Sequence, residues 1–376
     1  SLARKSIALV DRGQTRSATA RSIRSERGQC VTTPSTRSGA GSDTLMYVFN
    51  FENNDGFSVI AANRAVDPVL AVAEKGNYTY GEPTGVENFD FYMDAMAQSL
   101  AVIKPPKFDT IRTTPKFKTV EVNESRSCDP LIPVRWGQRS PYGDYCSNGY
   151  SGCVATAIAQ IMAYYRFPSS FTTTYTDAPH AGETIALNWT SIISYPYVYQ
   201  VPALMREIGQ RVEMTYHPID ENDMETGSSA FSYMAPDCLI SFGYSCASGL
   251  ASYEIASIRT NLDETHPVYV RANDISEGGH AWIADGYIYS RIGTEYYEEI
   301  LIDNGLTLYY DYILTNSTVQ TTNLVHYNWG WNGSCDGYFA PGDGVASGNG
   351  YIFNGLQMIT SIRLPRIDSN LNQDFL

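Results

Sequence analysis

The alternation of apolar and polar positions changes character along the chain. Residues 44–51, T-L-M-Y-V-F-N-F, and 55–62, D-G-F-S-V-I-A-A, are strand-like runs that flank Glu52-Asn53-Asn54-Asp55-Gly56. Two such runs around an Asp-Gly pair predict a β-hairpin. V-L-A-V-A-E at 69–74 reads as a third strand, and 88–101 has helical spacing after an Asn in the cap position. Residues 1–40, rich in Ser, Thr, Arg and Gly, read as extended and weakly structured. Residues 104–126 are rich in Pro, Thr and Lys and show no apolar period, which predicts an exposed linker open to proteolysis.

Beyond the linker, G-C-V-A-T-A-I-A-Q-I-M-A-Y-Y at 152–165 predicts a helix with Cys153 at its very start. Helical stretches follow at 201–216 and 252–262. The pattern then turns to strands at 267–272, 280–287, 296–303 and 324–329. Helices first and strands later predict an α+β domain with a helical half and a sheet half. The expected division is an N-terminal α+β unit with its linker over 1–125 and a second domain over 126–376. Two domains suit 376 residues, and a 43% hydrophobic fraction supports ordinary cores.

Charge narrows the function classes. A net charge of -14 argues against nucleic acid as a partner, because phosphate neutralisation needs a basic surface. No run of eighteen apolar residues is present, so no membrane-spanning helix is expected. Residues 1–45 hold eight Lys or Arg against three acids, a net of +5 that leaves -19 for the remainder. That head reads either as a docked basic segment or as a solvated arm. The seven cysteines (30, 128, 146, 153, 238, 246 and 335) leave at least one free thiol, and Cys238 with Cys246 is one conceivable bridge. No Cys/His cluster has zinc spacing, so no metal is expected.

A cysteine at a helix start is either a small packing residue or an activated nucleophile, since the unpaired N–H groups and the positive dipole end stabilise a thiolate. A nucleophilic thiolate needs a base. Of five histidines, His180, His217 and His266 lie beside turn signals, and His326 falls in a strand as a pleat residue. His280, in E-G-G-H-A-W-I-A-D-G-Y, follows two glycines that let a loop meet a strand closely. In H-Y-N-W-G-W-N-G-S-C-D-G-Y-F, Asn328 is a candidate to hold an imidazole, and Trp329 is a candidate to shield that bond. Gln138, in V-R-W-G-Q-R-S-P-Y, is a candidate oxyanion donor together with the Cys153 N–H.

The order W-G-Q-x-x-P-Y, G-C-V-A-T-A-I-A-Q-I-M-x-Y-Y-x-F-P, G-G-H-A-W-x-x-D-G-Y and N-W-G-W-N-G-x-x-D-G-Y-F resembles the streptopain family of papain-like cysteine peptidases, secreted by streptococci and by Bacteroides and Prevotella relatives. Y-V-F-N-F-E-N-N-D-G-F-S-V-I-A-A-N-R resembles that family's inhibitory propeptide. The resemblance implies a secreted endopeptidase zymogen of papain-like fold, without cofactor. Its partners would be protein and peptide substrates and its own prodomain in cis. It implies Cys153 as nucleophile, His280 as base, Gln138 as oxyanion donor, Trp329 at the border of the site and Asn328 as orienting group. It also implies a preference for an apolar residue just before P1 and a mobile loop over 341–355. The segment that blocks the site is expected between residues 74 and 88, and the activating cut within 104–130.

Two other readings compete. One keeps the fold but makes the enzyme a Cys–His transglutaminase or amidase, with Asp285 as third member. That residue lies five positions along the strand and on the opposite face from His280. The other is a secreted adhesin or inhibitor-like protein without catalysis, which four ordered motifs argue against.

Overall fold

The computed structural model describes residues 27–32, 44–51, 54–62, 66–103, 117–218, 227–246, 249–274, 278–303, 308–341 and 355–365. The hairpin forms where the alternation places it. Strands β1 (Arg27–Thr32), β2 (Thr44–Asn50), β3 (Phe57–Ala61) and β4 (Val69–Ala73) pair antiparallel in sequence order. Helix α1 (Glu87–Val102) follows. Its buried residues Phe89, Tyr92, Met93, Met96, Ala97 and Leu100 recur at helical spacing and form one apolar stripe. Asn88 does not cap this helix. Val86 precedes the first turn, and Asn88 lies inside that turn, fully buried, with its side chain committed elsewhere.

The stretch read as a linker is structured in its second half. Residues Phe117–Cys128 form strand β5, mostly exposed along its length. The helical half comprises α2 (Cys153–Tyr165), α3 (Trp189–Ser194), α4 (Gln200–Arg211), α5 (Ala235–Ser241) and α6 (Ile255–Asp263). Two small hairpins decorate it: β6 (Ser170–Thr172) with β7 (Thr184–Ala186), and β8 (Thr215–Tyr216) with β9 (Ser228–Ser229). The expected helix over 201–216 therefore stops at Arg211. Glu213 turns left-handed at φ 52°, and the chain enters β8.

The remaining strands are β10 (Ala251–Ser252), β11 (Val268–Asp274), β12 (Gly278–Asp303), β13 (Leu308–Ser317), β14 (Gln320–Asn328), β15 (Gly337–Phe339) and β16 (Gln357–Ile359). Two strands expected separately, at 280–287 and 296–303, are parts of the single 26-residue β12. It pairs with β11 and β5 and with β14 and β13.

All strands outside the two small hairpins join one twelve-stranded sheet, whose main path runs β1-β2-β3-β4-β15-β14-β12-β11-β16-β10. The N-terminal unit thus enters the second domain's sheet through the antiparallel β4–β15 pair. The architecture is α+β, with a helical half, an antiparallel β half and an N-terminal α+β unit.

Two main cores result. One lies between the helical half and the sheet, where α2 is buried nearly all round against α4, α5 and β12. In the other, the α1 stripe packs on the sheet. Phe89 and Tyr92 meet Trp329, Tyr92 also meets Trp282 and Tyr327, and both approach Phe339, at ring separations of 5.4–6.2 Å. Each large apolar side chain buried this way contributes roughly 1.5–3 kcal/mol. This seam is a core shared by the two units.

Candidate active site

Helix α2 begins at Cys153 because the chain enters it in a conformation suited to glycine. Gly152 has φ 84° and ψ 149°, and a Cβ there would lie 2.7 Å from Cε of Met214. No side chain caps this end, so the first N–H groups stay available around the thiol. The residue as a whole is half-buried, but its thiol is enclosed, and burial pushes the Cys153 thiol up to about 11. The Ala281 N–H opposes that rise, the Glu87 carboxylate adds to it, and the N–H groups of Val154 and Cys153 oppose it weakly. Cys153 therefore faces β12 at the residue next to His280. The ring of His280 lies 5.8 Å from that of Phe91 on α1.

Gln138 reaches the same place through a closed loop. The Ser151 N–H donates to the Gln138 carbonyl at 2.9 Å, so the loop returns to Gln138 just before Cys153. Ser151 Oγ and Thr156 Oγ1 are 3.0 Å apart, and Thr156 Oγ1 also donates to the Gly152 carbonyl, tying the loop to the first turn of α2. The tryptophan loop closes the other side. Gly330 has φ 75°, and a Cβ there would lie 3.0 Å from Thr156 Cγ2, so this loop rests directly on α2. Trp329 is fully buried, with Nε1 donating to the Cys335 carbonyl at 3.0 Å and its backbone N–H to Asp336 Oδ1 at 2.9 Å.

The Gln138 loop, the strand that bears His280 and the Trp329 loop thus all approach the start of α2, where Cys153 lies. Asn328 has a different set of partners. It exchanges two side-chain hydrogen bonds with Gln160, at 2.9 and 3.2 Å, donates to the Val134 carbonyl and accepts from the Gly330 N–H. Gln160 in turn accepts from the Trp136 N–H at 2.9 Å. The expected orienting of His280 by Asn328 is not the arrangement found. Asn328 is fixed by the amide pair that braces α2 against the segment carrying Gln138.

The N-terminal unit covers this site with α1. Nδ2 of Asn88 donates to the Ala281 carbonyl at 2.7 Å and to the Trp329 carbonyl at 3.4 Å. Glu87 acts on the thiol and Phe91 touches His280, so three consecutive-turn residues span nucleophile, histidine and tryptophan loop. The covering contacts run past residue 88, the limit expected from the sequence. The signal was in the sequence, since residues 87, 88 and 91 share a helix face beside the apolar stripe.

The other histidines behave variously. His180 pairs with Glu183, His217 with Ser229 and His266 with Tyr165. His326, read as a pleat residue, instead forms a buried ion pair with Asp285 at 2.6 Å. That contact also removes Asp285 as third member for His280. The six cysteines whose side chains are described are free thiols, so Cys238 and Cys246 form no bridge. The 341–355 loop lies outside the described residues except for its two ends.

The sequence from Trp136 to Phe339 matches the peptidase C10 family. The chain belongs to that family. It is a cysteine endopeptidase of streptopain type. Residues 1–100 match the Spi protease inhibitor family, so the peptidase carries an inhibitor-like N-terminal unit and has the organisation of a zymogen. Streptopain of Streptococcus pyogenes is 24% identical, over 83% of this chain and 80% of its own. The thiol protease/hemagglutinin PrtT of Porphyromonas gingivalis is 25% identical over 82% of this chain, which spans 36% of that longer protein. The fold is similar to that of a prointerpain A fragment from Prevotella intermedia, with TM-score 0.53, 21% identity, and coverage of 89% of this chain and 98% of that one.

Proposed function

We propose that the chain is a secreted (extracellular or periplasmic) peptidase zymogen that hydrolyses protein and peptide substrates through Cys153, with the N-terminal unit as its inhibitor in cis. The observation that carries this reading is the placement of Glu87, Asn88 and Phe91 across Cys153, Ala281, Trp329 and His280. In the working form, His280 takes the thiol proton and the thiolate attacks a peptide carbonyl. Gln138 and the Cys153 N–H donate to the developing oxyanion. His280 then protonates the leaving amine and activates the water that releases the acyl-enzyme. Losing the base or an oxyanion donor costs about a hundredfold or more in rate.

Because β5 pairs with β12 over twelve residues, it stays with the catalytic body. The division between inhibitor and catalytic domain then falls before Phe117, and so does the activating cut. The amidase or transglutaminase reading loses its third member, since Asp285 is bonded to His326.

The test is the intact mass after an epoxide cysteine-peptidase inhibitor, before and after limited proteolysis. A single adduct at Cys153 that appears only after the N-terminal unit is lost is the expected result. An adduct on the intact chain refutes the blocking unit. No adduct at Cys153 in the processed chain refutes the nucleophile.

A further inference from the structure

Beneath the tryptophan loop lies a polar cluster that the reaction above does not use. Asp285, His326 and Asp336 come from β12, β14 and the loop before β15, and all three are buried at 3% exposure or less. Asp285 Oδ1 meets His326 Nδ1 at 2.6 Å. Asp285 Oδ2 accepts the Ile132 N–H at 3.1 Å, and its carbonyl accepts the Leu131 N–H at 2.9 Å. Those two residues begin the segment that runs to Trp136 and Gln138. Asp336 Oδ1 accepts the Trp329 N–H, and its carbonyl accepts the Glu74 N–H at 3.0 Å, at the end of β4. Arg135 bonds Glu74 at 2.6 Å on the rim of the cluster.

Isolated buried charges are costly, so such a cluster persists only when its members pair and hydrogen-bond. Asp285 holds the start of the Gln138 segment and Asp336 holds the tryptophan loop, while His326 pairs with Asp285 through Nδ1 and leaves Nε2 buried without a hydrogen-bond partner.

We propose that Asp285, His326 and Asp336 form a buried ionic brace that registers the Gln138 segment against the tryptophan loop, with ionised Asp336 as a positioning residue for Trp329. The proposal rests on the reading that Gln138 and Trp329 belong to the catalytic site. It adds a link to activation. In the intact chain the cluster and its rim hold three carboxylates (Asp285, Asp336, Glu74) against His326 and Arg135. When the N-terminal unit leaves, Glu74 goes with it, and two carboxylates face two cations. The excess negative charge beside Asp336 disappears, and Arg135 has no other carboxylate of the cluster's rim to pair with.

The other groups facing Asp336 are the neighbouring Cys335 thiol and, beyond His326, the Tyr338 hydroxyl; neither is a charge at neutral pH. Burial drives Asp336 up to about 7 in the intact chain, while the Trp329 N–H, His326 and Arg135 pull it down and Asp285 pushes it up. Burial opposes the charging of His326 most strongly, but Asp285, Asp336 and Glu74 together raise it overall. Ionisation of Asp336 strengthens its bond to the Trp329 N–H.

The experiment uses the full chain, processed in solution, with kcat and KM for a peptide substrate followed from roughly pH 5 to 9. Epoxide labelling of Cys153 is measured in parallel. Asp336→Asn keeps an acceptor for Trp329 but cannot ionise. Its expected effect is a roughly tenfold loss of kcat at the wild-type optimum, with KM within about threefold, and disappearance of an acid limb governed by Asp336. Arg135→Met changes only a rim residue, and its fold does not depend on the buried cluster. It should move the acid limb upward by about half a unit, because the cation that favours ionised Asp336 is gone. In the intact chain, Asp336→Asn should also speed exchange of the Trp329 amide.

Wild-type kcat and limb in Asp336→Asn refute the brace. So does a kcat loss with an unmoved limb, which is a plain structural effect. If Asp336→Asn fails to fold, an unmoved limb in Arg135→Met refutes the proposal alone. Failure of Cys153 to label in the wild type overturns the site reading and the brace together.

Discussion

The thiol of Cys153 gives the most direct measure of inhibition. With its pKa at about 11 in the intact chain, roughly three thiols in ten thousand are ionised at pH 7.5. The causes that raise it are burial first and then Glu87, and the Glu87 carboxylate belongs to α1 and leaves with it. Thiols at helix N-termini or beside an imidazolium have pKa values of about 3.5–7.5, so the released thiol should be at least half ionised, a gain of roughly 1,500-fold. A thiolate of lower pKa is intrinsically less nucleophilic, by about fortyfold over this span. The net expectation is a rise in alkylation rate on the order of fortyfold at pH 7.5, before any gain in access. The sign of the pH dependence also differs. In the intact chain the rate should climb with unit slope through pH 9, whereas the processed chain should be nearly flat above about pH 8.5. Pulsed iodoacetamide labelling mapped by mass spectrometry reads both. Cys128 serves as the internal control, because its thiol is raised to about 11 by burial and by Asp285, Asp263 and Asp129, all in the catalytic body. Equal rates at Cys153 before and after processing, or a plateau below pH 9 in the intact chain, would refute the reasoning.

Three further outcomes are expected. Asn88→Ala removes the donor to the Ala281 and Trp329 carbonyls and should weaken the seal by about 1–2 kcal/mol, raising intact-chain labelling at Cys153 roughly five- to thirtyfold. Unchanged labelling would mean the seal lies elsewhere. Asn328→Ala orphans Gln160 and the Val134 carbonyl and should cost about 2–4 kcal/mol in denaturant unfolding, while kcat of the processed enzyme stays within about tenfold. A larger kcat loss with little change in stability would restore the orienting role. Processing should change tryptophan emission, because Trp282 and Trp329 are fully buried against α1 rings; an unchanged spectrum would mean those rings never separate.

What could be read in the sequence was local. The hairpin, the α1 stripe and the start of α2 each rest on a period or a turn signal within a few residues, and each forms within two residues of its expected place. What could not be read depends on distant pairing. Strand β5 is exposed along most of its length, so it has no alternation to betray it, and β12 supplies its order through backbone bonds. His326 finds Asp285 forty-one residues away, across a register shift in the β12–β14 pair. Asn328 was expected to serve a histidine because both occur in the motif order. Its partner in the structure, Gln160, lies seven residues beyond Cys153 in a helix that looked merely apolar there, and no spacing rule links the two.

The same contrast explains how a propeptide can be part of a fold and still removable. The α1 stripe could serve a core of its own, yet it shares one with Trp282, Tyr327, Trp329 and Phe339, which belong to the catalytic half. A plug resting on a finished site would leave that site intact when cut away. Here the departing unit takes with it one wall of a core, one strand of the β4–β15 seam and one carboxylate at the rim of the buried cluster. Exposing four large aromatic side chains to water is unfavourable by several kcal/mol, so loss of the unit is expected to be accompanied by repacking of the β half. Under the proposed activation, the elements free to repack are the strand bearing His280 and the loop bearing Trp329, which Phe91 and Asn88 contact in the intact chain. The tryptophan-emission measurement tests that expectation, since rings that stay buried after processing would leave the spectrum unchanged.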